Sequence, residues 1–213
     1  MALSKVDFNS INVTPAASKA IKFNSNNNGL ETGDVGGSLV LISTQTASSS
    51  ATLSFTSGID STYKEYIFKY IDCHPATDNV EFQFNMTTDG TNFNVTKTSS
   101  YFNSYQAEDN SAQALGYNTT PDLAQSTNDQ ILAEDVGNDA DQCVVGTLHL
   151  FEPSSTTFVK HYSSNSSQSH QNDFTQNVFC AGYGNTTSAI TGVRFKFSSG
   201  NIDAGTIKMY GVT

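Results

Sequence analysis

Apolar and polar residues alternate along most of the chain from residue 37 onward. The clearest stretch is 79–86, where the residues predicted to face inward are Val80, Phe82, Phe84 and Met86. Asn85 falls on the opposite, outward face. Because successive side chains of a strand point to opposite sides, a period of two predicts a half-buried β-strand.

The same alternation recurs along the rest of the chain. It predicts strands at 37–43, 51–57, 63–72, 143–152, 157–164, 177–184, 192–199 and 205–213. Asp89-Gly90 is a favoured two-residue turn, which predicts a hairpin joining 79–86 to a strand that carries Phe93. The turn at 153–156 predicts another hairpin.

Residues 97–142 have the least regular pattern. Thr120 followed by Pro121 is typical of a helix start, which predicts one short helix over 121–133. The rest of this region is predicted to be a long polar connection, where β proteins often carry their specific features. About nine or ten short strands, with almost no helical periodicity, predict an all-β fold: a single antiparallel β-sandwich of the jelly-roll type.

Residues 1–36 differ from the rest of the chain. The stretch 24–37 is rich in Gly and Asn and has no sustained period. Such a segment buries too little apolar surface to offset its chain entropy alone, so a neighbouring subunit or its own domain has to hold it. We therefore predict an extended N-terminal arm, residues 1–36, with an anchoring role, and a β-sandwich domain, residues 37–213.

Composition narrows the range of partners. Only 14% of the 213 residues are charged, and Ser, Thr, Asn and Gly are abundant, which is common in extracellular or particle-bound β proteins. The net charge of −10 argues against nucleic acid, since phosphate binding needs clustered Lys and Arg. It also disfavours docking onto anionic membranes.

The chain contains no apolar run of signal-peptide or transmembrane length. We therefore expect synthesis in a cytosol without membrane insertion. The three cysteines, Cys73, Cys143 and Cys180, are far apart and odd in number. They predict buried, reduced thiols rather than a disulfide framework or a zinc knuckle.

The adjacent pair Cys73 and His74 raises the question of a nucleophile with its base, or of half a metal site. Neighbouring strand residues face opposite ways and a proline follows, so we interpret this stretch as a structural corner with a buried Cys73. His149 and His161 are expected on one face of a hairpin. They could begin a metal site, which needs three or four ligands, but the sequence favours polar residues on an exposed sheet surface. His170 is expected in a loop.

The acidic stretch 133–142 is the candidate metal region. Clustered loop carboxylates suit a hard cation such as calcium, and the candidate ligands are Asp135, Asp139 and Asp141, with Glu134 beside them. The spacing differs from the EF-hand pattern, so a solvated acidic loop is the competing interpretation. Glycoside hydrolysis needs two carboxylates facing each other across a cleft, and no local motif indicates them. We predict no cofactor and no catalytic residue.

Tyrosines supply the candidate binding residues. A sugar-binding surface usually presents aromatic rings, and the chain has no Trp. Tyr101, Tyr105 and Tyr117, in the irregular middle region, are the rings that could contact a glycan.

Three stretches of the sequence resemble a group of virion-associated proteins encoded by marine tailed bacteriophages. These stretches are 55–98, which contains EYIFKYIDCHPATDNVEFQF, 148–162, LHLFEPSSTTFVKHY, and 196–212, KFSSGNIDAGTIKMYGV. The resemblance covers roughly residues 39–213. It implies a virion component made in the host bacterial cytoplasm, and it transfers no catalytic residues.

Three functions follow as hypotheses. The first is a non-enzymatic structural protein of a tailed-phage virion, either a surface-exposed head decoration or part of an appendage. Its N-terminal arm would attach it to capsid or tail proteins, and a homo-oligomer, with a trimer as the expected state, would form. The second is a tail-fibre or spike adhesin that binds a host-surface glycan or protein. The third is a depolymerase of host polysaccharide, which requires a carboxylate pair in a groove.

Overall fold

The computed structural model describes residues 19–26, 28–34 and 38–213, and no helix occurs among them. The chain divides into two units, residues 1–38 and 39–213. In the first unit, β1 (Lys19–Phe23) and β2 (Leu30–Asp34) form an antiparallel hairpin. The strands of the second unit are β3 (Leu39–Thr46), β4 (Leu53–Phe55), β5 (Glu65–Pro75), β6 (Val80–Thr87), β7 (Lys97–Ala107), β8 (Gln113–Tyr117), β9 (Gln130–Val136), β10 (Val144–Phe151), β11 (Lys160–His170), β12 (Phe174–Gly184), β13 (Gly192–Phe197) and β14 (Ile202–Val212).

The second unit confirms the predicted antiparallel jelly-roll sandwich. One of its sheets contains the order β3-β14-β5-β10, and the other has the order β4-β13-β6-β9. All of these pairings are antiparallel. Strands that come early in the chain therefore pair with strands that come late, as where Thr46 of β3 faces Thr206 of β14.

Two hairpins inserted into the roll widen the first sheet. Beyond β10 it continues in the order β11-β12-β7-β8, again with antiparallel pairing. At the end of β11, His170 faces Val136 of β9, which joins the two sheets and nearly closes the sandwich. β8 ends this widened sheet, and its five residues are all exposed.

The core lies between the two sheets. The four residues of 79–86 that were predicted to face inward are fully or almost fully buried. The rings of Phe82 and Phe195 stack at 5.9 Å between centroids, while Phe55 meets Phe68 edge to face at 5.4 Å. The first pair packs neighbouring strands of one sheet, β6 and β13, whereas the second connects β4 with β5 of the other sheet. Each pair combines a large buried apolar area with a favourable ring geometry.

The predicted helix over 121–133 was wrong. β9 occupies 130–136, and the residues before it form an irregular segment. The side chain of Gln130 is buried and donates a hydrogen bond to the carbonyl oxygen of Pro121 at 3.0 Å. Pairing of β9 with β6 then satisfies backbone groups that a helix would have used, so tertiary contacts override the local helix signal.

The hairpin predicted at Asp89-Gly90 was also wrong. β6 pairs with β9 and β13, and Phe93 lies outside the strands. The Asp89 carboxylate instead accepts hydrogen bonds from the backbone N–H groups of Thr91 and Asn92, at 2.8 and 2.7 Å. These local bonds close a loop on itself instead of returning the chain along β6.

The region 97–142 is more regular than its sequence indicates. It contains β7, β8 and β9, so the expected long polar connection was wrong. The pattern hides β7 because Ser, Asn and Gln occupy both of its faces, and it hides β8 because that strand is short and exposed along its whole length. By contrast, the hairpin predicted around 153–156 is confirmed by the pairing of β10 with β11.

The N-terminal unit has a hairpin where an extended arm was expected. Residues 1–18, 27 and 35–37 of that segment lie outside the described residues. Within the hairpin, Phe23 faces Leu30, and Ile21 lies two residues from Phe23 on the same side. All three side chains are exposed, Phe23 by 70%. The hairpin thus presents one apolar face.

Candidate functional site

A β-bulge in β9 creates the candidate site. Val80 and Phe82 on β6 are two residues apart, whereas their partners on β9 are three residues apart. The extra residue belongs to the pair Glu134 and Asp135, and Asp135 has a φ of 51°. A bulge of this kind redirects side chains, and Asp is one of the few residue types that tolerates a positive φ. Two successive acidic side chains therefore line the same cavity.

This Glu134 cavity has a volume of about 360 Å³ and lies at one rim of the sandwich. β9 contributes the acidic pair, the segment after β8 contributes an amide, and β7, β11 and β12 contribute rings. The lining residues used below are Tyr105, Asn118, Glu134, Asp135, His170 and Phe174. The cavity is in the size range of small-molecule sites but is more polar than most of them.

Glu134 is the most perturbed group of the cavity. Its carboxylate accepts a hydrogen bond from the side-chain amide of Asn118 at 2.8 Å. Burial raises the pKa of Glu134 to about 7 and the charge of Asp135 adds to the rise, while Asn118 and the Tyr101 hydroxyl lower it. Near neutral pH, Glu134 therefore exists as a mixture of donor and acceptor forms.

His170 and Asp135 form a second polar pair in the cavity. The Nδ1 atom of His170 accepts a hydrogen bond from the backbone N–H of Asn172 at 3.1 Å. In the neutral ring the proton is therefore on Nε2, which lies 3.4 Å from an oxygen of Asp135. His170 was expected in a loop, but it is the last residue of β11.

Three rings stack along one wall of the cavity. The Tyr105 and Phe174 rings lie 5.5 Å apart and nearly parallel, and Phe174 stacks in turn on His170 at 5.2 Å. The cross-strand positions of these residues, near the ends of β7, β11 and β12, bring the rings together. The result is an aromatic surface in the same cavity as the hydrogen-bonding groups.

The three predicted tyrosines have different positions. Tyr105 lines the Glu134 cavity. Tyr101 is fully buried, so its predicted role as a contact residue was wrong. Burial, and then the charge of Glu134, raise the pKa of the Tyr101 hydroxyl well above its usual value. Tyr117 is 58% exposed on β8, outside the cavity, and its hydroxyl donates to Asp122 at 2.7 Å.

The predicted calcium ligands are not brought together. Asp135 faces the Glu134 cavity, Asp139 lies exposed in a turn closed by Gln142, and Asp141 lines a separate cavity of about 260 Å³. Among residues 19–26, 28–34 and 38–213, no group of three His, Cys, Asp or Glu side chains is placed to hold a metal ion.

The corner interpretation of Cys73 and His74 agrees with their positions at the end of β5. Cys73 is fully buried, and burial raises the pKa of its thiol to about 12, which suppresses the nucleophilic thiolate. His74 Nδ1 lies 2.7 Å from the carbonyl oxygen of Gln142 instead. Cys180 is buried as predicted, whereas Cys143 is partly exposed.

His149 and His161 contact different partners on the sheet. His149 Nδ1 is 2.6 Å from a carboxylate oxygen of Glu65 and faces Ser163 across the hairpin. His161 packs against the ring of Tyr183 at 6.0 Å. Each histidine therefore belongs to its own side-chain pair.

Sequence reasoning missed Asn118, Phe174 and the central role of Glu134. Phe174 follows a polar turn and Asn118 lies in a stretch that was expected to be irregular, so neither has a periodic signal. The acidic dipeptide Glu134-Asp135 was the available signal. Two charged residues inside an apolar run mark a position where a bulge can redirect both side chains.

No helix in the described part of the chain is long and apolar enough to cross a membrane. No protein-family model, characterised protein or solved structure matches this chain significantly.

Proposed function

We propose that this protein is a non-enzymatic, surface-exposed component of a tailed-phage virion that binds a host-surface glycan in the Glu134 cavity. The observation that carries the proposal is that the stack of Tyr105, Phe174 and His170 lines the same cavity as Asn118 and Glu134. A sugar ring has an apolar face that packs on aromatic rings, and its hydroxyl groups require both donors and acceptors.

The mixed protonation of Glu134 suits a neutral polyhydroxyl ligand. A protonated carboxyl group donates one hydrogen bond and accepts others, whereas Asp135 acts as an acceptor next to His170. These groups are held in place by the bulge and by Asn118, so little side-chain freedom is lost on binding.

The arrangement of the carboxylates supports binding over hydrolysis. Glu134 and Asp135 are consecutive residues of one bulge, so both approach a ligand from the same side. Glycosidases place their two carboxylates on either side of the scissile bond. The depolymerase hypothesis would require a second carboxylate across the cavity from Glu134.

The virion location rests on the resemblance of residues 55–98, 148–162 and 196–212 to marine phage virion proteins. The N-terminal segment suits attachment to other virion proteins, because its hairpin exposes an apolar face formed by Ile21, Phe23 and Leu30. Head decoration is the second candidate function, since the same attachment surface would serve it. A homo-oligomer, with a trimer as the expected state, suits either position.

Binding is tested by titrating the full chain with oligosaccharides released from the surface polysaccharide of the host bacterium, followed by calorimetry. We expect saturable binding that the substitution Tyr105→Ala weakens about tenfold or more, because it removes part of the stacking surface. Tyr117→Ala is the matched control, since Tyr117 lies outside the cavity, and it should bind normally. Equal losses in both variants, or no binding by the unmodified chain, would contradict the proposed site.

Location is tested separately by labelling intact virions with an antibody against residues 37–213 and imaging them by electron microscopy. Label on a tail appendage supports the adhesin, and label over the head supports decoration. Purified virions without label would exclude both.

A further inference from the structure

Lys97, the first residue of β7, is fully buried, although it carries an amine. Its Nζ atom donates hydrogen bonds to Oδ1 of Asn85, at 2.6 Å, and to the carbonyl oxygen of Val95, at 2.7 Å. Both acceptors are neutral, and no carboxylate pairs with Lys97 within the described part of the chain. A buried amine without a carboxylate is rare enough to require an explanation.

The contact with Asn85 places a nucleophile beside a carbonyl carbon. With Nζ at 2.6 Å from Oδ1, the distance from Nζ to Cγ of Asn85 is about 3–4 Å, within the range of a near-attack arrangement. Asn85 is itself 1% exposed, so both groups are held in fixed positions by the core.

Neighbouring backbone groups contact the other atoms of the Asn85 amide. The backbone N–H of Met86 donates to Oδ1 at 2.9 Å, where it would stabilise negative charge that develops on this oxygen. The Nδ2 group donates to the carbonyl oxygen of Thr127 at 3.1 Å. The carbonyl is therefore polarised, while the amide nitrogen points to a different side of the site.

The amine also has access to its reactive form. Burial lowers the pKa of Lys97 to about 8, while the charge of Asp129 opposes this and that of Arg194 reinforces it. At pH 7 roughly a tenth of Lys97 is then the free amine, which is the nucleophilic form, and this fraction rises to about half at pH 8.

A route for a leaving group is present next to Asn85. We call it the Arg194 cavity, a space of about 500 Å³ lined by Asn85, Phe93, Thr127, Asp129 and Arg194. Arg194 pairs with Asp129 at 2.9 Å, and its guanidinium lies over the Phe93 ring, 4.8 Å from the centroid. Ammonia released from Asn85 can leave through this cavity.

We propose that Lys97 and Asn85 join in an intramolecular isopeptide bond. The lone pair of Nζ attacks Cγ of Asn85, the new Nζ–Cγ bond forms, and the Cγ–Nδ2 bond breaks. One proton passes from Nζ to Nδ2, which leaves as ammonia, and the ammonia takes up the proton that Lys97 lost when it became the free amine. Overall, one lysine ammonium and one side-chain amide react to give one isopeptide amide and one ammonium ion. No oxidant or other reactant is needed.

The bond would connect strands that are not paired with each other. Asn85 lies on β6 of the second sheet, and Lys97 begins β7 in the widened part of the first sheet. A covalent connection there would join the two sheets of the sandwich and would remove a titrating amine from its core. This inference is independent of the proposed glycan site.

The intact mass of the purified, denatured full chain tests the proposal. We expect a mass lower than that of the sequence by one ammonia, and a branched peptide after proteolysis in which residues 85 and 97 are joined. A mass equal to that of the unmodified sequence overturns the proposal, as does a loss of ammonia that maps to any other residue.

Variants make the test specific. Lys97→Arg and Asn85→Ala each remove one reacting group, and both should have the full mass of their sequences whether or not they fold well. Lys160→Arg is the matched control. Lys160 is also fully buried, but its Nζ donates to the backbone carbonyls of Phe158 and Thr186 and to no side-chain amide of the described residues, so this variant should keep the ammonia loss. If Lys97→Arg still lacks one ammonia, the assignment is wrong.

Discussion

β9 has a cavity at each end, and at each end burial shifts the pKa of one side chain. The two shifts have opposite directions. At its start, Ile131 and the preceding Asp129 line the Arg194 cavity, behind which the amine of Lys97 is buried. At its other end, the bulge brings Glu134 into the Glu134 cavity. Burial lowers the pKa of Lys97 to about 8 and raises the pKa of Glu134 to about 7. In both places burial shifts the protonation equilibrium toward the neutral form of the side chain.

The difference between the two ends is their access to solvent. Lys97 contacts fixed neutral acceptors inside the core, so its chemistry is confined to the chain itself. Glu134 lines an open cavity and keeps hydrogen-bonding capacity for a ligand from outside. The same physical effect therefore supports a permanent internal bond at one end of β9 and reversible recognition at the other.

The largest effect is expected from Lys97→Ala. This change removes a buried aliphatic stem and leaves a void, so the free energy of unfolding should fall by about 2–4 kcal/mol. Lys97→Met loses the proposed bond to Asn85 just as Lys97→Ala does, but it fills most of the space, so its loss from packing should be less than about 1.5 kcal/mol. Urea unfolding of both variants measures the difference. Equal stability of Lys97→Ala and the unmodified chain would show that the core does not depend on this side chain.

A smaller, pH-dependent effect is expected from Glu134→Gln. Since the folded pKa of about 7 lies above the ordinary 4.5, the folded state binds more protons than the unfolded state between these values. Glu134 therefore lowers stability as pH rises from 4.5 to 7, and Gln abolishes that change. Allowing for partial exposure, the variant should be about 1–2 kcal/mol more stable at pH 8.

The pH dependence also supplies the control for that experiment. Well below pH 4.5, at about pH 3, the carboxyl group is neutral in both states, so the variant and the unmodified chain should unfold at similar urea concentrations. A stability difference that stays constant from pH 4.5 to 8 would mean that Glu134 keeps its ordinary pKa. It would remove the electrostatic contrast between the two ends of β9.

Asp135→Ala should cost about 1 kcal/mol through the backbone of the bulge. Asp tolerates the positive φ of this position better than Ala does, and the contact with His170 is lost as well. Asp135→Asn, which also tolerates this φ, should be close to the unmodified protein in thermal unfolding. If Asn is as destabilising as Ala, the carboxylate charge matters and the backbone conformation does not.

The smallest effect is expected at the Arg194 cavity. Phe93→Ala removes the ring beneath the Arg194 guanidinium and should cost about 0.5–1 kcal/mol. Phe93→Leu retains apolar contact without the ring electrons, so the loss of stability from the unmodified chain to Phe93→Leu in urea unfolding isolates the cation–π contribution. Equal stability of Phe93→Leu and the unmodified chain would assign the contact to apolar packing alone.

The fold was largely predictable because one face of each core strand is buried. Val80, Phe82, Phe84 and Met86 alternate strictly and all point inward. Asn85 is the exception: it was expected to face solvent, yet it is buried and accepts a hydrogen bond from Lys97. Alternation identifies the two faces of a strand, but it cannot show whether other residues cover the face that is expected to be exposed.

The candidate site was less predictable for two physical reasons. A bulge depends on the register between β6 and β9, which pairs residues about fifty positions apart and leaves no local signal beyond Glu134-Asp135. The tyrosines share one composition signal but reach different environments. Tyr101 and Tyr105 lie on the same face of β7, four residues apart, and Tyr117 lies on β8. Their neighbours in space decide which ring meets a ligand.

The pairing of β3 with β14 also has a consequence for synthesis. Thr46 cannot pair with Thr206 until the ribosome has added 160 further residues. At ordinary elongation rates this delay is on the order of 10–30 s. During that interval the edges of β3 and β5 have no β14 between them and are open to strands of other nascent chains. Contacts this distant in sequence also slow folding after release. We therefore expect the soluble yield to depend more on the translation rate and the temperature during expression than on the stability of the finished molecule.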